Sequence, residues 1–305
     1  MYSINLKDMD DTGKGLLVLN LINRYTSRAR EFFQGSYFEV GMRMQGAALI
    51  NEIIDSHFKK EIMSLEVSEI LSEEDIYVAV KNTNGFRPSL FVSQNAFETL
   101  SRHMIFKLRP VSVDCAESVA AELTSLFHKV EVTELESFSN FKTAILRIID
   151  RLVQERLTPT KEFINQFFDI EAGFINSKHP DFVSAATTSI NESIRKEDRR
   201  QSEALKQISK RERNEIDLIK QMLLNYFDVV KKNVCDYIPK IIFTLLVGKT
   251  IDICEREIIS ALYRPEEIDQ LLKESAGATE QRTVLLSEIN ELKDCLKFLN
   301  AIGSP

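Results

Sequence analysis

The sequence predicts an all-α protein whose helices pack as an elongated antiparallel bundle, and three observations predict it. Only 10 Gly and 7 Pro punctuate 305 residues, too few for the many hairpins of a β-sandwich. Apolar residues make up 44% of the chain, too many for disorder. They recur at steps of three and four over long stretches, and no strand pattern stands out. Helices with a one-sided apolar stripe gain little alone in water and bury that stripe against one another.

Taken in order, Gly15–Phe33 is predicted as the first helix, broken at Gly35-Ser36-Tyr37. The second spans Gly46–Leu65, with Leu49, Ile50, Ile53, Ile54 and Phe58 on one side. Ser72 followed by Glu73, Glu74 and Asp75 reads as an N-cap with an acidic first turn. That helix is expected to stop between Asn82 and Gly85. Ser93 caps a helix carrying Phe97, Leu100 and Met104, which Pro110 bends or interrupts. Ala116, Val119, Leu123, Leu126, Val130 and Leu135 then form one stripe about six turns long. Phe141–Leu157 is predicted to halt at Thr158-Pro159, where Thr158 or Thr160 caps a new helix from Lys161 to about Asn176, ended by His179-Pro180-Asp181-Phe182.

Val183–Arg213 changes character. It is polar, with eight basic residues against five acidic ones, and reads as a linker or exposed insert. A second helical block starts at Asn214, with Ile216, Ile219, Leu223, Tyr226, Val230, Val234 and Tyr237 in helical register. Pro239 kinks it, it runs to about Tyr263, Pro265 breaks it, and Gly277 marks a loop. Thr283–Leu299 is a last amphipathic helix, with Leu285, Ile289, Leu292, Leu296 and Leu299 on one face. The linker lets this block fold back as a further helix of the same bundle.

Charge and composition exclude several functions. The formal net charge is -7 with both signs interspersed, which lacks the basic surplus of a general nucleic-acid binder. Cys115, Cys235, Cys254 and Cys295 form no CxxC pair, so reduced, buried thiols in a cytosolic compartment are expected. Met1–Asp11 has no apolar core of a secretory signal, and the longest apolar run, Ile241–Val247, is too short for a membrane span of ~20 residues. His57, His103, His128 and His179 fit no metal-ligand spacing. Gly248-Lys249-Thr250 ends like a phosphate loop, but Phe243 stands where the first glycine is needed. Lys59-Lys60, Arg199-Arg200 and Lys231-Lys232 read first as solvated helix faces. Anionic lipid or an acidic partner is the alternative, best placed at Arg195, Arg199 and Arg200. No catalytic set emerges, and no cofactor is expected to bind these residues.

The segment Asn82-Thr83-Asn84-Gly85-Phe86-Arg87-Pro88-Ser89-Leu90-Phe91-Val92, followed by Phe97-Glu98, resembles the middle domain of dynamin-related proteins. Asp169-Ile170-Glu171-Ala172-Gly173-Phe174 through Phe182 resembles the end of that domain. Glu215–Lys220, Tyr226–Asn233 and Ile238-Pro239-Lys240 resemble the GTPase effector domain. The wording at Arg87–Val92 and His179–Phe182 looks nearer the mitochondrial, peroxisomal and vacuolar fission group than Mx antiviral proteins.

The resemblance implies a stalk, a four-helix bundle that dimerises crosswise and polymerises on membrane tubules. It divides the chain into middle-domain helices (1–182), a short insert (183–213) with no room for a pleckstrin-homology domain, and effector-domain helices (214–305). The GTPase domain, which would bind GTP and Mg, is not in these residues, so the chain is expected to be part of a longer protein. Thr83, Asn84, Gly85, Phe86 and Arg87 match the family loop that joins dimers into higher oligomers. Gly85 would supply the backbone shape and Arg87 a polar contact. Ile242 is placed near the central dimer interface, with ordinary core as the alternative. Leu285–Ile302 resembles the helix that returns to the GTPase domain. Where the family has a basic residue after Gly-Ala, this chain has Ala48. A cytoplasmic protein is implied, peripheral at mitochondria, peroxisomes or the vacuole and endosome, with a homo-oligomer and a membrane adaptor as partners. A helical protein-binding scaffold and an Mx-like antiviral stalk are the alternatives.

Overall fold

The structure, a computed structural model, describes residues 9–34, 46–84, 93–185, 210–274 and 276–302. Among them there is no strand, and the all-α expectation holds. The helices are α1 (Asp11–Gln34), α2 (Ala47–Glu52), α3 (Lys59–Ser64), α4 (Val67–Ile70), α5 (Glu73–Asn84), α6 (Gln94–Lys107) and α7 (Arg109–His128). They continue as α8 (Thr133–Glu136), α9 (Ser139–Gly173), α10 (Lys210–Ile241), α11 (Lys249–Leu262), α12 (Ile268–Leu271) and α13 (Ala276–Ile302). Two π-helical segments, Ile53–Phe58 and Ile242–Gly248, join α2 to α3 and α10 to α11.

Helix starts follow local chemistry. The Ser72 hydroxyl accepts from the Asp75 backbone N–H at 3.1 Å, while the Asp75 carboxylate accepts from the Ser72 N–H at 2.8 Å, a reciprocal capping box. The Ser72 hydroxyl also donates to that carboxylate, which holds the Asp75 carboxyl below its usual range. Ser93 caps α6 by accepting from the Ala96 N–H at 3.3 Å. Pro110 falls in the first turn of α7, where a missing N–H costs nothing, so it starts a helix rather than bending one.

Several expectations are corrected. Pro159 does not end a helix: α9 runs through it, and Thr160 donates its hydroxyl to the Arg156 carbonyl at 2.7 Å instead of capping. Leu152 and Val153 before the proline and Ile164 and Phe168 after it are buried. That burial, roughly 1.5–3 kcal/mol per side chain, outweighs a proline cost of about 3 kcal/mol. The long stripe from Ala116 is fully buried, but its helix stops at His128, and Val130 and Leu135 reach the core from the following turn and α8. Pro180 opens a helical turn over residues 180–185, with His179 Nδ1 accepting from the Asp181 N–H at 3.2 Å. The second helical block, expected near Asn214, is helical from Lys210, the first described residue after 185. Gly277 lies inside α13, not in a loop. The stripe of α13 is formed as predicted, but Leu285, Ile289, Leu292 and Leu296 are exposed. Cys115 and Cys254 are buried, and burial pushes both thiols up to about 12, whereas Cys235 is half-buried and Cys295 is exposed.

The chain forms two compact units that are not consecutive in sequence. One comprises 1–47, 124–154 and 250–305, and the other 48–123 and 155–249. In the first, α1 buries Val18, Leu21, Ile22, Tyr25 and Ala29 on a single face. The Tyr25 hydroxyl donates to the Phe127 carbonyl at 2.8 Å, and the Phe33 and Phe127 rings lie 4.8 Å apart. Gly46 adopts φ +58°, where a Cβ would stand 2.3 Å from the Phe32 carbonyl oxygen, so only glycine fits that turn.

In the second unit α10 packs against α3, α4, α5 and α6. Its core holds Leu223, Tyr226, Phe227, Val230 and Val234 of α10 with Phe97, Leu100 and Met104 of α6. The rings of Phe97, Phe182 and Tyr226 form a triangle with centroids 5.5–5.7 Å apart. Such pairs contribute about 0.5–1.5 kcal/mol each beyond their buried area.

Candidate assembly surface

The end of α5 and the start of α6, which flank residues 85–92 in the sequence, are tied together. Thr83 donates its hydroxyl to the Ala79 carbonyl at 2.8 Å, and Ser93 donates its own to Thr83 Oγ1 at 2.9 Å. Because Ser93 also caps α6, one small hydroxyl network links the last turn of α5 to the first turn of α6. Asn84 is the last residue of α5. Gly85, Phe86 and Arg87 lie outside the described residues, as do Arg195, Arg199 and Arg200. The base of α5 is held to α10 by Lys220, whose ammonium meets the Glu73 carboxylate at 2.8 Å and pulls its carboxyl below the usual range.

Sequence reading missed the most prominent surface of the second unit. Ile164, Phe168 and Ala172 of α9, and Ile175 just after it, are buried. Phe163, Phe167 and Ile170, with Phe174 just past the helix end, are also spaced by threes and fours and so line a second face. On it Phe163 is 50% exposed, Ile170 72% and Phe174 73%. From α10, Tyr237 (51% exposed) stacks on Phe167 with centroids 5.7 Å apart, which joins the two helices into one aromatic face. The signal was present: α9 carries more apolar residues than one stripe can hold.

A cavity of about 210 Å³ opens beside this face, walled by Glu171, Phe174, His179 and Asn233 over Tyr226 and Val230. Burial pushes the Glu171 carboxyl above its usual range, while a hydrogen bond with Asn233 and the charge of His179 act the other way. The Tyr226 hydroxyl accepts from the Asn176 N–H at 3.2 Å, which ties the end of α9 to α10.

The other predicted positions fall elsewhere. Ile242 lies in the second π-helical segment and is fully buried within its own chain, with no surface to offer a partner. Ala48 is exposed in the first turn of α2. Lys231, read as half of a solvated basic pair, is buried instead. It donates to the Leu65 carbonyl at 3.3 Å, pairs with Asp228 at 3.0 Å and sits over the Phe227 ring. Gly248, Lys249 and Thr250 are helical, not a phosphate loop. Among the described residues no group of His, Cys, Asp or Glu could hold a metal ion, and no helix is long and apolar enough to cross a membrane.

Comparison with known proteins places two family matches on this chain: the dynamin central region at residues 2–191 and the dynamin GTPase effector domain at residues 211–302. It is 31% identical over 191 residues to Dynamin-related protein DNM1 of Saccharomyces cerevisiae, covering 62% of this chain and 25% of that protein. It is 25% identical over 368 aligned positions to Dynamin-1-like protein of Danio rerio, covering 98% of this chain and 51% of the relative. A third relative, Dynamin-1-like protein drp-1 of Caenorhabditis elegans, is 23% identical over 376 positions, with 95% and 53% covered. The chain therefore spans about half the length of the relatives it matches end to end.

Proposed function

Since this chain belongs to the dynamin family, we propose that it is the stalk through which a dynamin-related GTPase dimerises, polymerises and remodels or divides membrane. Residues 1–182 supply the middle-domain helices and 214–305 the effector-domain helices, joined through the 183–213 insert into a four-helix bundle. GTP and Mg belong to the GTPase domain of the longer protein, and the stalk's own work is to self-associate and to relay GTPase-domain motion. The exposed stripe of α13, Leu285, Ile289, Leu292 and Leu296, supports a helix that packs on that domain.

The observation that carries the reading is the aromatic face of α9 and α10. The largest contiguous apolar patch on a typical monomer is about 300–600 Å² and is often functional. Phe163, Ile170, Phe174 and Tyr237 together expose on the order of 500 Å², taking 150–250 Å² per aromatic side chain. A standard interface buries about 800 Å² per partner. The face is large enough to form the apolar centre of a homodimer with a polar rim.

The loop from Thr83 to Arg87, between the tied ends of α5 and α6, is the second contact, joining one dimer to the next. Basic residues Arg195, Arg199 and Arg200 offer a contact to anionic lipid or to an adaptor. The protein then works in the cytoplasm at the surface of an organelle, mitochondrion, peroxisome or vacuole and endosome among the candidates. Sedimentation of the 305-residue chain is the test. Dimers and larger species that grow with concentration are expected. Ile170→Asp should leave a monomer, while Gly85→Asp or Arg87→Ala should leave dimers and remove larger species. A wild-type chain that stays monomeric at high concentration overturns the reading.

A further inference from the structure

The recess between α9 and α10 holds a carboxylate that no described lysine or arginine of the chain reaches, and we propose that it receives an arginine side chain presented by a peptide segment of a different protein. That carboxylate, Glu171, stands in the wall with Asn233 and His179, over a floor of Val229, Val230 and the Tyr226 ring. Among the described residues only His179 could lend it positive charge. In the geometry seen it does not: His179 Nδ1 accepts from the Asp181 N–H at 3.2 Å, which puts the ring proton on Nε2 and leaves the imidazole neutral. The cations around this end of α9 are engaged elsewhere. Arg109 pairs with Asp169, and Arg102 divides its donors between the Ala172 carbonyl and Glu98, each at 3.0 Å. The hydrogen bond from Asn233 uses one of the roughly four lone-pair sites of the Glu171 carboxylate, so lone pairs remain for a further donor.

Size and rim decide which cation fits. A volume of about 210 Å³ is below the roughly 300–1,000 Å³ of a drug-sized site, so the recess takes one side chain rather than a whole ligand. Ile170 and Phe174 stand at its mouth and are largely exposed, an apolar rim for the stem of a long side chain. A guanidinium is flat, offers a carboxylate two parallel N–H donors and stacks on an aromatic face, and Glu171, Phe174 and Tyr226 share this recess. A lysine ammonium is more strongly hydrated and makes no such fork. The approach is open, because a Cβ on Gly173, next to Phe174, would meet nothing within 4 Å. A second copy is the poorer occupant: its arginines on α1, α6 and α7 are each held by a carboxylate of their own chain. Arginine capture here requires no self-association.

The probe is N-acetyl-arginine methylamide, titrated into the full 305-residue chain while NMR follows the Asn233 side-chain amide and the His179 ring. Saturable shifts with a Kd on the order of 1 mM are expected for so small a ligand. The citrulline counterpart has the same shape without the charge and should bind at least about tenfold more weakly. Glu171→Gln should lose arginine binding by a similar factor, and Phe174→Ala by about two- to fivefold. In the wild-type chain, bound arginine should also move the titration of the Glu171 carboxyl carbon to lower pH, a readout that needs no substitution. Equal binding of arginine and citrulline overturns the proposal, as does binding unchanged in Glu171→Gln or a Glu171 titration that the probe does not move. A lysine counterpart that binds as tightly as arginine overturns the guanidinium assignment. Arginine binding that is lost as the chain is concentrated gives the recess to a second copy, which overturns the proposal and supports the assembly reading. A chain that stays monomeric yet binds the probe as described overturns the assembly reading and upholds this one.

Discussion

The two long helices α1 and α9 start from the same kind of pattern and end with different surfaces. On α1 the residues Val18, Leu21, Ile22, Tyr25, Ala29 and Phe33 follow one stripe, and all are buried. On α9 and the residues just after it, a buried stripe of Ile164, Phe168, Ala172 and Ile175 runs beside an outward one of Phe163, Phe167, Ile170 and Phe174. A helix needs one apolar stripe to join its own core. A second stripe adds nothing to the fold of a single chain and carries a standing cost in exposed aromatic surface. Its presence points to a partner that covers it. The difference between the helices separates residues kept for folding from residues kept for association.

The largest effect that breaks or sharpens this comparison is a paired truncation on α9. Phe168→Ala removes a fully buried ring and should cost about 3–5 kcal/mol of unfolding free energy. Phe163→Ala, on the neighbouring stripe, should stay within about 0.5 kcal/mol, as surface substitutions do, while weakening self-association. Urea unfolding at low protein concentration measures the first and sedimentation the second. Equal losses of stability from both substitutions would show that the outward stripe is ordinary core, and the distinction between the helices would fall.

Much of this was legible in the sequence, for reasons that differ by residue. The caps at Ser72 and Ser93 depend on atoms within three residues of one another, so their pattern is local and survives folding. The stripes of α1 and α10 are set by periodicity alone. What escaped depends on competition between distant terms. Pro159 is a strong local breaker, but buried residues on either side of it hold α9 continuous. The π-helical segments at Ile53–Phe58 and Ile242–Gly248 insert one residue per turn and leave no mark in composition. Ile242 reads as well for an interface as for a core, and only packing places it inside. The outward stripe of α9 was readable as an excess of apolar residues. The recess beside it was not, because Glu171, His179 and Asn233 come together only when α9 packs on α10.

Glu171 stands on the border between the two stripes and gives the smallest and most specific test. Its carboxyl sits above its ordinary value because burial disfavours its charged form. A raised folded-state value means that the native chain binds more protons than the unfolded chain across the window between the two values. Stability then falls as pH rises through that window, and it is gained as pH falls from the folded value toward about 4.5. Glu73 and Asp75 run the opposite way: their lowered carboxyls favour the folded state above the unfolded value and lose that contribution on acidification. In Glu171→Gln the amide keeps a partner for Asn233 and has no proton to exchange. The variant should match wild type at the acid end of the window and exceed it slightly near neutral pH, with a flatter profile between. Thermal midpoints of both chains across that range measure the slope. Parallel profiles would mean that the Glu171 carboxylate is well solvated at the recess, and that the face it borders is wetter and less suited to an apolar partner than its aromatic residues imply.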